Sequence, residues 1–307
     1  MIDEVSIEIG GQTIDKHYGT WLNIWNELTQ TSEKSSGYND MIGNVGGMTD
    51  AKDGDDGEIG EYTMYIPLQF WFCRNPGLAL PLIALQYHEV KFNISFKALA
   101  DLYVKTGSSD LVKTPSLEAS LFVDYIYLDT DERRQFAQVQ HEYLIEQLQF
   151  TGAETVSGGA YKSKLALNHP CKELIWVVQD SGATAAPTAY KDVSTAKLQL
   201  NGQDRFSERA GAYFNLVQPY QHHTSIPSDG VYVYSFALKP EDHQPSGTLN
   251  MSRIDTATLM VEVQDLSATG VGMPLATEYS YTGINIYAVN YNVLRILSGM
   301  GGLAYSN

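Results

Sequence analysis

Residues 62–96 read YTMYIPLQFWFCRNPGLALPLIALQYHEVKFNISF. Tyr62, Met64, Ile66, Leu68, Phe70 and Phe72 fall on one face of an alternating segment, and Val90, Phe92, Ile94 and Phe96 fall on one face of a second. Alternation of β-branched and aromatic residues at period two predicts two strands, 62–72 and 89–96, each with one buried face. Pro76, Gly77 and Pro81 lie between them and interrupt both helix and ladder. The apolar residues of this connection, Leu78, Leu80, Leu82, Ile83 and Leu85, therefore need burial by packing.

Outward from this stretch the chain continues in the same style. Val5 to Ile9 reads as a strand closed by the Gly10-Gly11 turn. Tyr18, Trp21, Leu22, Trp25 and Leu28 recur at helical spacing, which predicts a short amphipathic helix lying across a sheet edge. Residues 31–61 are rich in Ser, Gly, Asn and Asp, as an exposed loop would be. Strands are expected at Ser120 to Leu128, Tyr143 to Phe150, Lys162 to Leu167 and Glu173 to Gln179. The charged stretch 129–140, DTDERRQFAQVQ, carries no strand pattern and is read as the join between two halves, 1–135 and 136–307.

The second half repeats the first. Ile7 to Gln12 aligns with Leu198 to Gln203 at an offset of 191, and Trp21 to Ile24 with Tyr213 to Leu216 at an offset of 192. Tyr65, Pro76, Val90, Phe92 and Ile94 align with Tyr234, Pro245, Leu259, Val261 and Val263 at 169, and Val123-Asp124-Tyr125 with Val289-Asn290-Tyr291 at 166. Four matches in one order indicate duplication of an all-β unit. The drop from 192 to 169 places 23 additional residues in the first copy, where the acidic Ser/Gly stretch lies. Candidate strands precede Leu198 in the second copy but have no counterpart before Ile7, so the first unit is expected to lack its opening strands, as in a truncated product. Paired β-sandwiches are the architecture implied.

Composition narrows the function. The chain has 307 residues, 18% charged and 43% hydrophobic, which is globular and long enough for two domains. With 36 acidic against 20 basic residues, a net charge of −16 argues against direct wrapping of nucleic acid. Cys73 and Cys171 are the two cysteines; they build no disulfide framework, fit a reducing compartment, and are expected to be small buried hydrophobes. No apolar run reaches the length of a membrane span.

Several strings carry a family resemblance: EIGGQTIDKHY, IPLQFWFCRNPGLALPLIALQYHEVKF, VDYIYLDTDERRQFAQVQHEYLIEQLQFTG, QLNGQDRF, YSFALKP, QPSGTLNMSRID and YNVLRILSGMGGLAYSN. The chain closely resembles the major capsid proteins of nucleocytoplasmic large DNA viruses, the algal-virus and iridovirus-like members above all, from its first residues to Asn307. The resemblance implies two tandem jelly rolls per chain, three chains per capsomer, and a pseudo-hexagonal block that tiles an icosahedral shell. It further implies neighbouring capsomers and minor capsid proteins as partners, a place in the virion, and synthesis in the host cytoplasm. Members carry a longer N-terminal region that completes the first jelly roll; nothing here matches it.

Sites of other kinds find less support. The acidic residues Asp50, Asp53, Asp55, Asp56, Glu58 and Glu61 miss the spacing of a calcium loop and read as solvated. His222-His223 with Asp229 lacks a His-x-His ligand pattern and reads as turn histidines near Pro219 and Pro227. No nucleophile elbow, phosphate loop or acid/base carboxylate pair is recognisable, so no enzyme and no cofactor is expected. Asn93 and Asn250 head sequons, and a cytoplasmically made capsid would leave both unmodified. The packing and interface candidates are Trp21, Trp25, Phe70, Trp71, Phe72, Pro76, Leu80, Pro81, Tyr213, Phe214 and Pro245. Stretches 31–61 and 265–281 are expected to face outward, with 75–85 and the helix at 18–28 packed against the partner domain or a neighbouring subunit. The alternative function is a carbohydrate-binding sandwich module; a third is a jelly-roll metal enzyme.

Overall fold

The computed structural model describes residues 1–50, 59–103, 116–156, 159–180, 190–263 and 281–305. The first half contributes β1 (Ile2–Ile9), β2 (Gln12–Tyr18) and β3 (Val90–Phe96), which form a three-stranded antiparallel sheet in the order β2-β1-β3. Its helices are α1 (Gly19–Thr29), α2 (Ser32–Ile42), α3 (Gly46–Thr49) and α4 (Trp71–Arg74). At the join lies α5 (Thr130–Gln138). The second half contributes β4 (His141–Phe150), β5 (Gly159–Leu165), β6 (Pro170–Asp180), β7 (Val193–Leu200), β8 (Gln203–Asp204) and β9 (Arg209–Ala210). A π-helical turn, Tyr213–Val217, then runs on into α6 (Gln218–His222), followed by β10 (Val231–Ser235), β11 (Leu249–Asn250), β12 (Ala257–Val263), β13 (Tyr281–Leu297) and β14 (Met300–Leu303).

Those second-half strands make two facing sheets, one built on β10-β6-β13-β14 with β4 along β13, the other on β5-β12-β7-β8. Between them lies the main core, in which Leu174, Trp176, Val178, Ile284 and Ile286 of one sheet meet Leu165, Leu198, Leu259 and Val261 of the other. The first sheet is buried on both faces. Ile175 and Val177 of β6 and Tyr287 and Val289 of β13 point away from the sandwich and pack beneath Trp21, Ile24, Trp25 and Leu28 of α1. An antiparallel sheet ordinarily leaves one face to water and alternates. Here α1 covers that face, so the strands read as continuous apolar runs, Leu174 to Val178 and Ile284 to Val289 being interrupted only at Asn285. A third core joins Val5, Ile7, Ile9 and Phe70 of the first half to Ile145, Leu294 and Ile296 of the second.

The duplication is visible in the backbone. Gly10 and Gly11 close the β1–β2 hairpin with positive φ, as Asn201 and Gly202 close β7–β8, which is what two-residue hairpin turns require. Gly19 opens α1 against the carbonyl of Ile2, and Gly211 opens the Tyr213–His222 helical segment against the carbonyl of Val193. A Cβ at either glycine would drive into that oxygen, so both copies need glycine where helix and strand close up.

Several expectations need correction. Residues 62–70 form no strand and have no regular secondary structure, the Tyr65 amide donating to the Met41 carbonyl at 2.8 Å, and Trp71–Arg74 is helical. Pro67 removes one ladder donor. The aligned strand β10 pairs with β6, which has no counterpart among the described residues of the first half. Ser120 to Leu128 is likewise unpaired and exposed, with Phe122 82% and Tyr127 92% accessible. Its aligned strand β13 is held between β4 and β6. The loop foreseen at 31–61 is exposed over most of its described residues, Gly43 being buried, but folds into α2 and α3. Residues 130–138 are helical, with Asp129 Oδ1 accepting from the amides of Asp131 and Glu132 at 3.0 and 2.9 Å. Helix α1 lies over a sheet face rather than an edge. Cys171 is buried, whereas Cys73, on the outer side of α4, is exposed.

The seam between the halves and its exposed counterparts

The seam is built by α1, α4 and the end of β2 closing over β4, β6 and β13. Apolar contact supplies its bulk: Trp21 stands 5.4 Å from the Tyr287 ring, and Phe150 stacks on Tyr287 at 4.8 Å. Burial pushes the Tyr287 and Tyr291 hydroxyls well above the ordinary tyrosine range.

Charge is buried along the same line. Glu146 of β4 pairs with Lys172 of β6 at 2.8 Å and with Arg74 of α4 at 3.0 Å, and the Arg74 guanidinium lies 4.8 Å from the Trp25 ring. Lys172 Nζ also sits 5.0 Å from the Tyr291 ring. A carboxylate inside a core is tolerable only when paired in this way, so Arg74 ties α4 and α1 to the second-half sheet with directional contacts. On β2, Asp15 accepts from the Leu148 backbone amide at 3.0 Å and pairs with buried His17 at 3.0 Å, and the Gln147 side-chain Nε2 donates to the Ile14 carbonyl.

His223 is the second buried charge centre. It follows α6 and sits between Glu173 Oε2 at 2.9 Å and Glu241 Oε1 at 3.0 Å. Burial alone would lower its pKa; the two carboxylates outweigh burial and hold it up to about 9. Glu241 is lowered despite its own burial, because it accepts from His223 and from the Thr224 amide and hydroxyl. His223 is thus a structural ion-pair residue rather than a turn histidine. His222, its neighbour, lies 3.0 Å from the Leu238 carbonyl through Nδ1.

The sequence-derived packing candidates divide. Trp21, Trp25, Phe70, Trp71 and Phe214 are buried, as is Pro81. Phe72, Leu80 and Tyr213 are half-buried, while Pro76 and Pro245 are exposed. Of the connection 75–85, Leu78, Leu80, Ala84 and Leu85 join the core shared with Ile145, Leu294 and Ile296. Asn93 and Asn250 are both exposed, and Asn250 Oδ1 accepts from the Ser252 amide at 3.1 Å. The stretch 265–280 and acidic residues 53–58 lie outside the described residues. Sequence reading missed Arg74, Glu146, Lys172 and Glu173; Lys172 and Glu173 interrupting a strand with an apolar run was the available signal. Among the described residues there is no cluster of three or more metal-ligating side chains and no helix long and apolar enough to cross a membrane.

Known proteins place these features. Residues 132–302 match the family described as Large eukaryotic DNA virus major capsid protein, and residues 1–129 match Major capsid protein N-terminus. The major capsid protein of Pyramimonas orientalis virus is 52% identical over all of this chain and 77% of its own length. That of Paramecium bursaria Chlorella virus 1 is 43% identical over 100% of this chain and 79% of its own. Among solved structures, the PBCV-1 capsid protein fitted into a reconstruction of the virophage Sputnik superimposes with a TM-score of 0.80 at 40% identity, covering 99% of this chain and 83% of that one. The PBCV-1 virus capsid superimposes with a TM-score of 0.77 at 40% identity, over 100% of this chain and 84% of that one. The fold is the double jelly roll of these proteins, which are structural and not enzymes.

Proposed function

This chain belongs to the family of major capsid proteins of large eukaryotic DNA viruses, and from that premise we propose that three copies associate into a pseudo-hexagonal capsomer tiling an icosahedral shell. The chain itself is a structural component of a viral capsid. One observation supports the trimer above all: two repeat-related units stand side by side in a single chain, joined through α1 and the sheet beneath it. Three such chains present six similar units around an axis, which is what a hexagonal position needs.

Stiffness supports the same role, because cores closed by sheets on both sides transmit load with little deformation. Neighbouring capsomers and minor capsid proteins are the partners of the outer faces, with no direct grip on nucleic acid from a surface of net charge −16. Synthesis takes place in the host cytoplasm. Sedimentation velocity of the purified chain tests the proposal: a species of three chains is expected, and a stable monomer at high concentration refutes it.

A further inference from the structure

One loop touches both buried charge centres. Residues 238–246, between β10 and β11, form a strap whose neck is closed by Ser246: the Lys239 amide donates to Ser246 Oγ at 2.9 Å, and Ser246 Oγ donates to the Lys239 carbonyl at 3.2 Å. On one side the strap meets the Glu146 centre. The Asp242 carbonyl accepts from Lys172 Nζ and the His243 carbonyl from the Tyr291 hydroxyl, each at 3.3 Å, and His243 Nδ1 stands 3.9 Å from Glu146 Oε1. On the other side Glu241 meets His223 at 3.0 Å and accepts from the Thr224 amide at 2.7 Å. The contacts to the Glu146 centre are long and the charge-assisted ones at Glu241 are short, so Glu241 does most to hold the strap down.

The imidazole faces two carboxylates of unequal standing. Glu173, from β6, is 0% exposed, whereas the Glu241 side chain, from the strap, is 21% exposed. A charged imidazole serves both, one from each ring nitrogen; a neutral one keeps a single proton and serves one. Leaving a wholly buried carboxylate unpartnered is the costlier choice, so the remaining proton stays with Glu173 and Glu241 turns to water. Protonation of Glu241 undoes the same contact and leaves His223 with Glu173. His223 keeps its charge up to about 9, and Glu241 keeps its charge to below its ordinary 4.5, so the contact is intact between these limits. Tyr291, which the strap also touches, has its hydroxyl pushed well above the ordinary range by burial and stays neutral throughout.

We infer that residues 238–246 are a proton-operated strap: the His223–Glu241 pair holds it shut over the Glu146–Lys172–Arg74 centre, and loss of either charge lets it swing out on its Ser246 neck while the sandwich stays folded. Openings of this kind, confined to one loop, occur below the free energy of global unfolding.

Subtilisin cutting within 238–246 of the full chain tests this, with the cut bond located by mass and the rate divided, at each pH, by that of the free peptide of the same sequence. The unmodified chain should resist at pH 7, and its normalised rate should rise on the order of tenfold or more by pH 10 with circular dichroism unchanged. Glu241→Gln keeps the buried His223–Glu173 pair, and with it the fold, and should be cut at pH 7 as fast as the unmodified chain at pH 10. His223→Gln should be cut fast at pH 7 with no further rise; Glu241→Gln decides the matter even if His223→Gln fails to fold. A Glu241→Gln chain as resistant as the unmodified one overturns the strap. So does a rise that comes only with loss of circular dichroism, which is unfolding of the whole chain. An alkaline rise that persists in folded His223→Gln overturns His223 as the trigger.

Discussion

Strand β13 and the segment 120–128 descend from one pattern, Val-Asn-Tyr in the first and Val-Asp-Tyr in the second, yet they sit in opposite surroundings. Val289 is 3% exposed between β4 and β6, with α1 above and the sandwich core below; Val123 is 50% exposed with no strand beside it among the described residues. Alternating, β-branched, aromatic sequence is common to both. What β13 has in addition is a neighbour on each edge to take its amides and carbonyls, and a layer on each face to exclude water. Strand propensity records suitability for such a place and cannot create the place.

That contrast can be broken or sharpened by mutation. The largest effects should come where the covered sheet depends on the seam. Trp25→Ala empties the contact between α1, Arg74 and the sheet, and should cost about 3–5 kcal/mol in urea denaturation. Lys172→Met, by stripping Glu146 of a buried partner, should cost about 3 kcal/mol or more; replacing Glu146 by Gln in the same chain should recover part of that loss.

Protonation gives the next effect. His223 is held above its ordinary value of 6.5, up to about 9, so its stabilising charge is fully present below 6.5 and is lost as pH rises through 9. Melting temperature should therefore fall between pH 7 and pH 10, by an amount worth on the order of 2–3 kcal/mol. His223→Gln should lower stability at neutral pH and flatten that decline. A profile unchanged by the substitution would assign the alkaline loss to other groups.

The smallest effect is the most direct comparison. Val289→Ala should cost about 2 kcal/mol, whereas Val123→Ala in the unassembled chain should stay within about 0.5 kcal/mol. If Val123→Ala proved as costly as Val289→Ala, segment 120–128 would be packed in the isolated chain, and the contrast between the two would vanish.

Much of this organisation could be read from the residues. The alternation of Val90, Phe92 and Ile94 marks β3, the Trp21/Trp25/Leu28 spacing marks α1, and Gly10-Gly11 with Asn201-Gly202 mark two hairpins. Each is a local property of chain geometry. The helices at 32–42 and 130–138 were illegible because their sequences carry few apolar residues to set a period; α5 announces itself only through the Asp129 cap. The charged seam was illegible for another reason. Arg74, Glu146 and Lys172 are far apart in sequence, and no spacing rule connects them.

By itself, then, the sequence determined that two related β units follow one another, where their hairpins turn, and which family they belong to, because periodicity, turn chemistry and long shared strings are carried by neighbouring residues. Only the tertiary structure decided that α1 closes over a sheet already buried on its other side, that Glu146, Lys172 and Arg74 neutralise one another in that seam, and that segment 120–128 lies open. Burial and pairing depend on what arrives from elsewhere in the chain, and an identical pattern can be filled at one site and bare at another.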